Sequence, residues 1–373
     1  MKQFIPEEVC EVARPIGTYA KKLGLQAWIV GGAVRDFYLN RPTEDIDLTF
    51  DKMQDSIAGF CIKQWGGEKQ KFAQFGTFQV CLKNGYKLDL ARLRTETYER
   101  PGVLPQVSFT TGIKQDLFRR DFTVNAWAVS ISPDSFGKSV DPYGAKKDIE
   151  TGRIRILHEN SFLDDPTRMY RAVRFAGRFG WKLAPKTERL LREAVDQEYP
   201  LLLSSRLRLA KELIKILQEP NAKRIFELMD KYDLLKFIYP NVKWVASLEK
   251  TTDPDFRLAL LILSLGERSR NFLRSLSLPK PFFTEVERVC ALFDERLSPL
   301  SPLSDFQRKL VFLFRPDLPS TAVLPCFIRG GELRDIGLIG RRISGALLKV
   351  RRAQWEGKVS TRKEAVDLLL RQK

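Results

Sequence analysis

Two carboxylates open the run Asp45-Ile46-Asp47-Leu48-Thr49-Phe50. Alternate side chains of a strand share a face, so Asp45 and Asp47 point the same way, about 7 Å apart along the chain. Two acids on one face invite a divalent cation. Shortly before them stands Ile29-Val30-Gly31-Gly32-Ala33-Val34-Arg35-Asp36. A turn without Cβ atoms lets backbone N–H groups approach an anion, and the helix that follows adds its unsatisfied donors and its dipole. Arg35, one turn in, supplies a planar fork for phosphate oxygens. Either half alone is ordinary, a tight turn or a solvated strand edge. Together they describe a place where a phosphate and a metal meet.

Further acids and arginines extend the pattern. In the strand-like run Tyr86 to Ala91, Lys87, Asp89 and Ala91 share one face and Leu88 and Leu90 the other. Asp89 is either an exposed strand residue or a third carboxylate facing Asp45 and Asp47. A third acid on a neighbouring strand is what a two-metal nucleotidyl-transfer site needs, with its metals about 3.5–4 Å apart. Leu117-Phe118-Arg119-Arg120-Asp121-Phe122-Thr123-Val124-Asn125-Ala126 places two arginines, an acid and an amide on an otherwise apolar segment. Either Arg119 and Asp121 pair at a surface, or the arginines hold phosphates while Asp121 and Asn125 address a ribose. In Asp164-Asp165-Pro166-Thr167-Arg168-Met169-Tyr170-Arg171-Ala172-Val173-Arg174-Phe175, a capping Asp and a first-turn Pro open a helix. Arg168, Arg171, Arg174 and Arg178 fall along one side of it, which read plainly is a solvated basic face.

These residues need a scaffold, and 373 residues suffice for two or three domains. Apolar residues make up 43%, an ordinary share, but 63 Lys and Arg against 46 Asp and Glu give +17. That surplus suits a polyanionic partner such as RNA. The five cysteines, at 10, 61, 81, 290 and 326, form no C-x-x-C pair, so neither a zinc site nor a disulfide framework is indicated. With His158 as its single histidine, the chain cannot build a site of paired histidines. The N-terminal residues lack the apolar core of a signal peptide, and the most apolar run, Leu258 to Leu265, is too short to span a membrane. A cytoplasmic protein is expected.

Local patterns place the elements. Residues 6–22 read as a helix that Pro15 should kink or split. Strands are expected at Ala27 to Val30, Phe78 to Leu82 and Tyr86 to Ala91, the last two joined by an Asn84-Gly85 hairpin. The polar stretch 92–105, punctuated by Pro and Gly, reads as a surface loop. Helical patterns cover Leu201 to Leu217, 222–237 and 255–265, and 298–304 reads as a connection. Residues 301–373 carry fifteen Lys/Arg against seven Asp/Glu.

The Gly-Gly turn, Asp45-Ile46-Asp47 and Arg119-Arg120-Asp121-Phe122-Thr123-Val124-Asn125-Ala126, in this order and spacing, resemble the bacterial class II tRNA nucleotidyltransferase and poly(A) polymerase family. The resemblance implies a polymerase-β-type α/β nucleotidyltransferase head followed by an elongated all-α neck, body and tail, here 1–137, 138–200, 201–297 and 298–373. It implies Mg²⁺ on Asp45 and Asp47, with Asp89 at the position of the third acid. Gly31, Gly32 and Arg35 would hold the triphosphate and Asp121 and Asn125 lie near the ribose, with Arg119, Arg120, Arg171 and Arg174 also binding nucleotide. Asp165 and Arg168 match the motif that reads the incoming base; Asp164 stands where many relatives carry Glu. Cytosine and adenine each offer an amino donor beside a ring-nitrogen acceptor, so a carboxylate next to a guanidinium fits them and mismatches U and G. The 92–105 segment corresponds to the family's flexible loop, implicated in switching to ATP, and its wording is closer to A-adding relatives. Gly331 to Leu338, Gly345 to Leu348 and Gly357 to Ala365 resemble the tail that grips the tRNA acceptor–TΨC arm. The expected activity is template-independent CCA addition to tRNA from CTP and ATP. Its alternatives are A-addition alone, poly(A) synthesis, or RNA binding on a degenerate scaffold.

Overall fold

The computed structural model describes residues 5–52, 55–72, 77–335 and 338–371; residues 1–4, and Ile336 and Gly337 of the tail motif, lie outside them. The chain divides into two compact units, Met1–Ser204 and Ser205–Lys373.

The first unit opens with helix α1 (Glu7–Lys22), which buries Val9, Val12, Ile16 and Ala20 along one face. It runs unbroken through Pro15, against expectation. The ~3 kcal/mol cost of an interior proline is outweighed by several side chains worth ~1.5–3 kcal/mol each when buried. A mixed seven-stranded sheet follows, in the order β3-β4-β5-β2-β1-β8-β9. Strand β1 (Ala27–Val30) lies in its interior and is buried at every position. After α2 (Gly32–Tyr38) the chain returns as β2 (Asp45–Phe50), antiparallel to β1. Helix α3 (Asp55–Trp65) buries Ile57, Ala58 and Cys61. Strand β3 (Gly67–Phe72) forms one edge, and its Glu68, Lys69 and Lys71 guard against edge pairing. Strands β4 (Thr77–Leu82) and β5 (Lys87–Arg92) form the expected hairpin, with Gly85 at φ 95°. Strand β5 then pairs with β2 in parallel, whereas the other pairings of this sheet among the described residues are antiparallel.

The 92–105 segment is not one loop. Leu93 is fully buried, and β6 (Arg94–Thr97) pairs with β7 (Gln106–Phe109) as an antiparallel ribbon separate from the main sheet. Its polar residues suggested solvation, whereas Arg94 and Glu96 are ion-paired to each other and largely covered. Helix α4 (Ile113–Phe118) and a 3₁₀ turn (Thr123–Asn125) lead into β8 (Ala128–Ser130), and β9 (Ser139–Val140) carries the sheet past residue 137. Helices α5 (Ala145–Glu150), α6 (Ser161–Asp164), α7 (Thr167–Phe179) and α8 (Pro185–Asp196) complete the unit, with a short parallel pair, Arg153–Ile154 and Lys182–Leu183, among them.

The second unit is helical. Helix α9 (Arg206–Gln218) begins later than the leucine pattern predicts: Tyr199–Leu202 is a 3₁₀ turn with Leu201 and Leu202 exposed, and the Ser205 side chain caps the helix at Leu207 N. The 222–237 pattern splits into α10 (Ala222–Lys231) and α11 (Leu235–Ile238) because Asp233 adopts φ 56° between them. Helix α12 (Pro254–Leu263), capped by Asp253, is buried from Phe256 to Leu263. Its Arg257 donates to the carbonyls of Thr251 (2.8 Å) and Leu217 (2.8 Å), closing the C-terminal end of α9. Helices α13 (Ser269–Ser275), α14 (Lys280–Glu295) and α15 (Asp305–Phe314) follow, the last entered from the 298–304 connection through a Ser304–Gln307 capping box. Helices α16 (Gly330–Asp335), α17 (Arg341–Trp355) and α18 (Arg362–Leu370) share a small core around Leu333, Val350 and Ala365. Among the described residues no helix is long and apolar enough to cross a membrane.

Candidate active site

Parallel pairing of β2 and β5 sets Asp47 directly opposite Asp89. Along β2 the pattern runs exposed Asp45, buried Ile46, half-buried Asp47, so the two acids share the outer face. Burial pushes the Asp47 carboxyl above the usual carboxylate range; Asp89 and Asp45 push the same way, against Arg120 and Arg119. Gln79 Nε2 holds Asp89 Oδ1 at 3.0 Å, while Asp45 leans out to Lys87 Nζ at 3.6 Å. A partly covered carboxylate that neighbouring acids make reluctant to ionise, with hard oxygen donors beside it, fits a divalent cation in kind. Among the described residues, however, no three such side chains are drawn to metal-binding spacing, and Asp45 is the one turned away.

The glycine turn contributes clearance. Gly31 sits at φ 77°, and a Cβ there would stand 2.7 Å from Arg120 Nη1 and 3.1 Å from Asp47 Oδ2. Its N–H donates to the Trp127 carbonyl at 3.0 Å, so this amide is engaged within the fold and not presented to an anion. Arg35, expected at a triphosphate, is buried: it donates to both Asp36 oxygens (3.0 and 2.9 Å) and to Asn125 Oδ1, with its guanidinium over the Phe179 ring. It orients Asn125, whose Nδ2 donates to Asp121 Oδ1 at 2.9 Å. Asp121 also takes Arg171 through Nε (2.9 Å) and Nη2 (2.6 Å). Burial alone would raise Asp121, but Arg171, Asn125 and Arg168 prevail and hold it at about 2.

Arg119 and Arg120 are fastened from below. Fully buried Asp116, three and four residues earlier on α4, takes Arg119 Nε at 3.0 Å and Arg120 Nη2 at 3.3 Å. Burial opposes its ionisation, yet Arg120, Arg119 and the Arg94 amide hold its carboxyl below the ordinary range. Glu96 takes Arg119 Nη1 and Arg94 Nη2, each at 3.0 Å. Neither acid stands out in the sequence; the i+3 and i+4 spacing of Asp116 to the arginines was the one available signal.

Helix α7 is not the solvated basic face that its arginine stripe suggests. Arg168 and Arg174 are buried, and Arg171 is committed to Asp121. Arg168 donates through Nη1 to Ser161 Oγ and through Nη2 to the Arg119 carbonyl, both at 2.9 Å. Asp165 Oδ1 accepts from Thr167 N (3.0 Å) and Oγ1 (2.6 Å), capping the helix from just outside.

Two clefts result. One, of about 450 Å³, is lined by Asp47, Asp89, Arg94, Arg119 and Arg120. The other, of about 460 Å³, shares Asp47, Arg119 and Arg120 with the first. It adds Gly32, Arg35, Asp121 and Asn125 from the head turns, and Asp165, Arg168, Arg171 and Arg174 from the helical side. Gly31 touches neither wall, and Asp45 lines a separate surface depression beside Lys87. Tyr98, Phe175 and Arg178 also face the second cleft. An arginine wall thus meets a carboxylate edge at Asp47.

Residues 27–155 match a poly A polymerase head domain, and residues 180–245 a probable RNA and SrmB-binding site of polymerase A. A CCA-adding enzyme of Geobacillus stearothermophilus is 33% identical over 293 residues, covering 72% of this chain and 67% of that protein. The chain belongs to the tRNA nucleotidyltransferase and poly(A) polymerase family. Another member of this family, the A-adding tRNA nucleotidyltransferase of Geobacter sulfurreducens, is 36% identical over 242 residues, covering 65% of this chain and 27% of the relative. The chain spans less than half the length of the A-adding relatives that it matches. A solved CCA-adding enzyme in complex with CTP superposes with a TM-score of 0.68 at 26% identity, covering 99% of this chain and 96% of that one.

Proposed function

We propose that this chain is a tRNA nucleotidyltransferase that extends or repairs the 3′-terminal CCA from CTP and ATP without a nucleic-acid template. The observation that carries the reading is the meeting, at Asp47, of a carboxylate edge with a cleft walled by Arg119, Arg120, Arg168 and Arg171. The tRNA 3′-hydroxyl attacks the nucleotide α-phosphate, the bond to the β-phosphate breaks, and pyrophosphate leaves. Arg119 and Arg120, fixed by Asp116, neutralise the phosphates, and Gly31 keeps the approach clear beside Asp47. Asp121 and Asn125 face the ribose. Asp165 accepts from the amino group of C or A while Arg168 donates to the adjacent ring nitrogen. A divalent cation, Mg²⁺ in this reading, would be held by Asp47 with Asp89 alongside, and by Asp45 once its side chain turns from Lys87, and when bound would polarise the reacting phosphate. Residues 1–137 would then be the catalytic head, 138–200 the neck carrying α7, 201–297 the body, and 298–373 the tail, whose basic surplus suits the acceptor–TΨC arm.

A second reading, addition of the terminal adenosine alone, is favoured by the higher identity to the A-adding than to the CCA-adding relative described above. One assay separates them. Transcripts ending before CCA, after C and after CC are offered CTP and ATP separately with Mg²⁺. Full CCA addition requires CTP incorporation on the first two; A-addition shows ATP incorporation on the last alone. Long homopolymeric A tails on unrelated RNA would mark a poly(A) polymerase, and no incorporation anywhere would mark an RNA-binding protein on a degenerate scaffold.

A further inference from the structure

Arg119 is held by two acids, of which Glu96 is left without a role by transfer chemistry. Asp116 anchors its Nε, and Glu96, whose side chain is 9% exposed, anchors its Nη1. The same Glu96 oxygen also accepts from Arg94 Nε at 3.1 Å, so one covered carboxylate neutralises two guanidinium groups that otherwise repel. Burial, and then Arg119, depress the basicity of Arg94, with Glu96 opposing them. The other oxygen of Glu96 takes the Tyr98 hydroxyl at 3.4 Å. That hydroxyl and the Arg119 carbonyl both accept from Arg168 Nη2, at 3.4 and 2.9 Å. Arg168 Nη1 is held independently by Ser161 Oγ at 2.9 Å, so on the Nη2 side its orientation depends on the Tyr98 hydroxyl, which Glu96 braces directly, and on the main-chain carbonyl of Arg119, the residue whose guanidinium Glu96 clamps.

We propose that Glu96 is a positioning residue for nucleotide selection: by clamping Arg119 and Tyr98 it fixes the orientation of Arg168, and with it which base edge the site accepts. The inference rests on the nucleotidyl-transfer reading of the site. Glu96 lines the second cleft, but its oxygens are taken by Arg94, Arg119 and Tyr98, so it acts through them. Without its charge, Arg94 and Arg119 face each other with Asp116 alone to offset them, the Tyr98 hydroxyl loses its acceptor, and Arg168 keeps Ser161 Oγ and the Arg119 carbonyl but loses the braced acceptor at Tyr98. A guanidinium free to tilt donates to a carbonyl as readily as to a ring nitrogen, so discrimination against G and U falls before transfer does.

The test compares wild type, Glu96→Ala and Glu96→Gln in single-nucleotide addition to tRNA with each of the four triphosphates. Glu96→Ala should lower the preference for ATP over GTP by about tenfold or more, mainly through a higher KM for ATP. Glu96→Gln keeps the acceptor oxygen but not the charge and should fall between. Melting curves establish folding; if Glu96→Ala is unfolded, Glu96→Gln carries the comparison. A uniform loss of kcat with the ATP-to-GTP ratio unchanged overturns the proposal. Equilibrium binding of ATP and GTP to the same proteins without RNA gives a second measure, on which the ratio of Kd values must narrow. A wild-type enzyme that transfers nothing overturns the nucleotidyl-transfer reading alone, because the binding ratio still judges the clamp.

Discussion

Two aspartates in this site carry opposite electrostatic burdens. Asp47 is held above its ordinary range chiefly by burial, with Asp89 and Asp45 adding to it. A carboxyl whose folded-state pKa is raised stabilises the fold at low pH and loses that contribution as pH rises through the folded value. Ionising Asp47 is therefore a cost that a cation would relieve. Asp47→Asn should abolish nucleotide addition while raising the melting temperature in metal-free buffer. Adding Mg²⁺ should stabilise wild type, by about 3 kcal/mol at one hundred times the dissociation constant, and the variant less. Thermal melts with and without the ion check both. Asp121 behaves in the reverse sense, its folded-state value lowered to about 2 against the burial that opposes ionisation. Its stabilisation is complete above the unfolded value near 3.9 and is lost as pH falls from there toward 2, worth roughly 2.5 kcal/mol. In acid titrations Asp121→Asn should lose about that much at pH 7 and show a shallower decline between pH 4 and 2.

Among the elements, the turn between β1 and α2 does most to shape the site. Gly31 combines left-handed backbone with an approach that brings Arg120 and Asp47 to where a side chain would stand. Gly31→Ala should cost about 1–2 kcal/mol for the backbone alone. It should lower kcat/KM by more than that, because Arg120 is tied to Asp116 and cannot yield without leaving its place. Urea denaturation set beside steady-state kinetics separates the two losses. The β6–β7 ribbon shows why polar segments mislead. A run of Arg, Thr, Glu and Thr has the composition of a solvated loop, yet here its charges turn inward onto α4 and its arginines.

For the molecule as a whole, +17 is the dominant physical fact. A surplus of eight charges lies in residues 301–373, and Arg341, Arg342 and Lys363 are exposed on α17 and α18. If these meet phosphates, neutralising all three should raise KM for tRNA and reduce the slope of log affinity against log salt by about 2–3, leaving KM for ATP unchanged. Filter binding across a salt series is the measurement.

Much of this protein was legible from local chemistry. The period of a strand places Asp45 and Asp47 on one face, Asn84-Gly85 closes a hairpin, and an Asp-Pro pair opens α7; each depends on neighbours in sequence. Pairing across the sheet depends on distant ones. Only the tertiary structure sets β2 beside β5 with Asp47 opposite Asp89, and only it turns Asp45 outward to Lys87. It also decides the fate of charge. Sequence gives a guanidinium its place on a helix but not its surroundings, and the same arginine stripe serves a solvated surface or a buried clamp. Asp121 on Arg171, and Ser161, Tyr98 and the Arg119 carbonyl on Arg168, make it the latter, because a buried guanidinium persists only where acceptors from other elements converge on it.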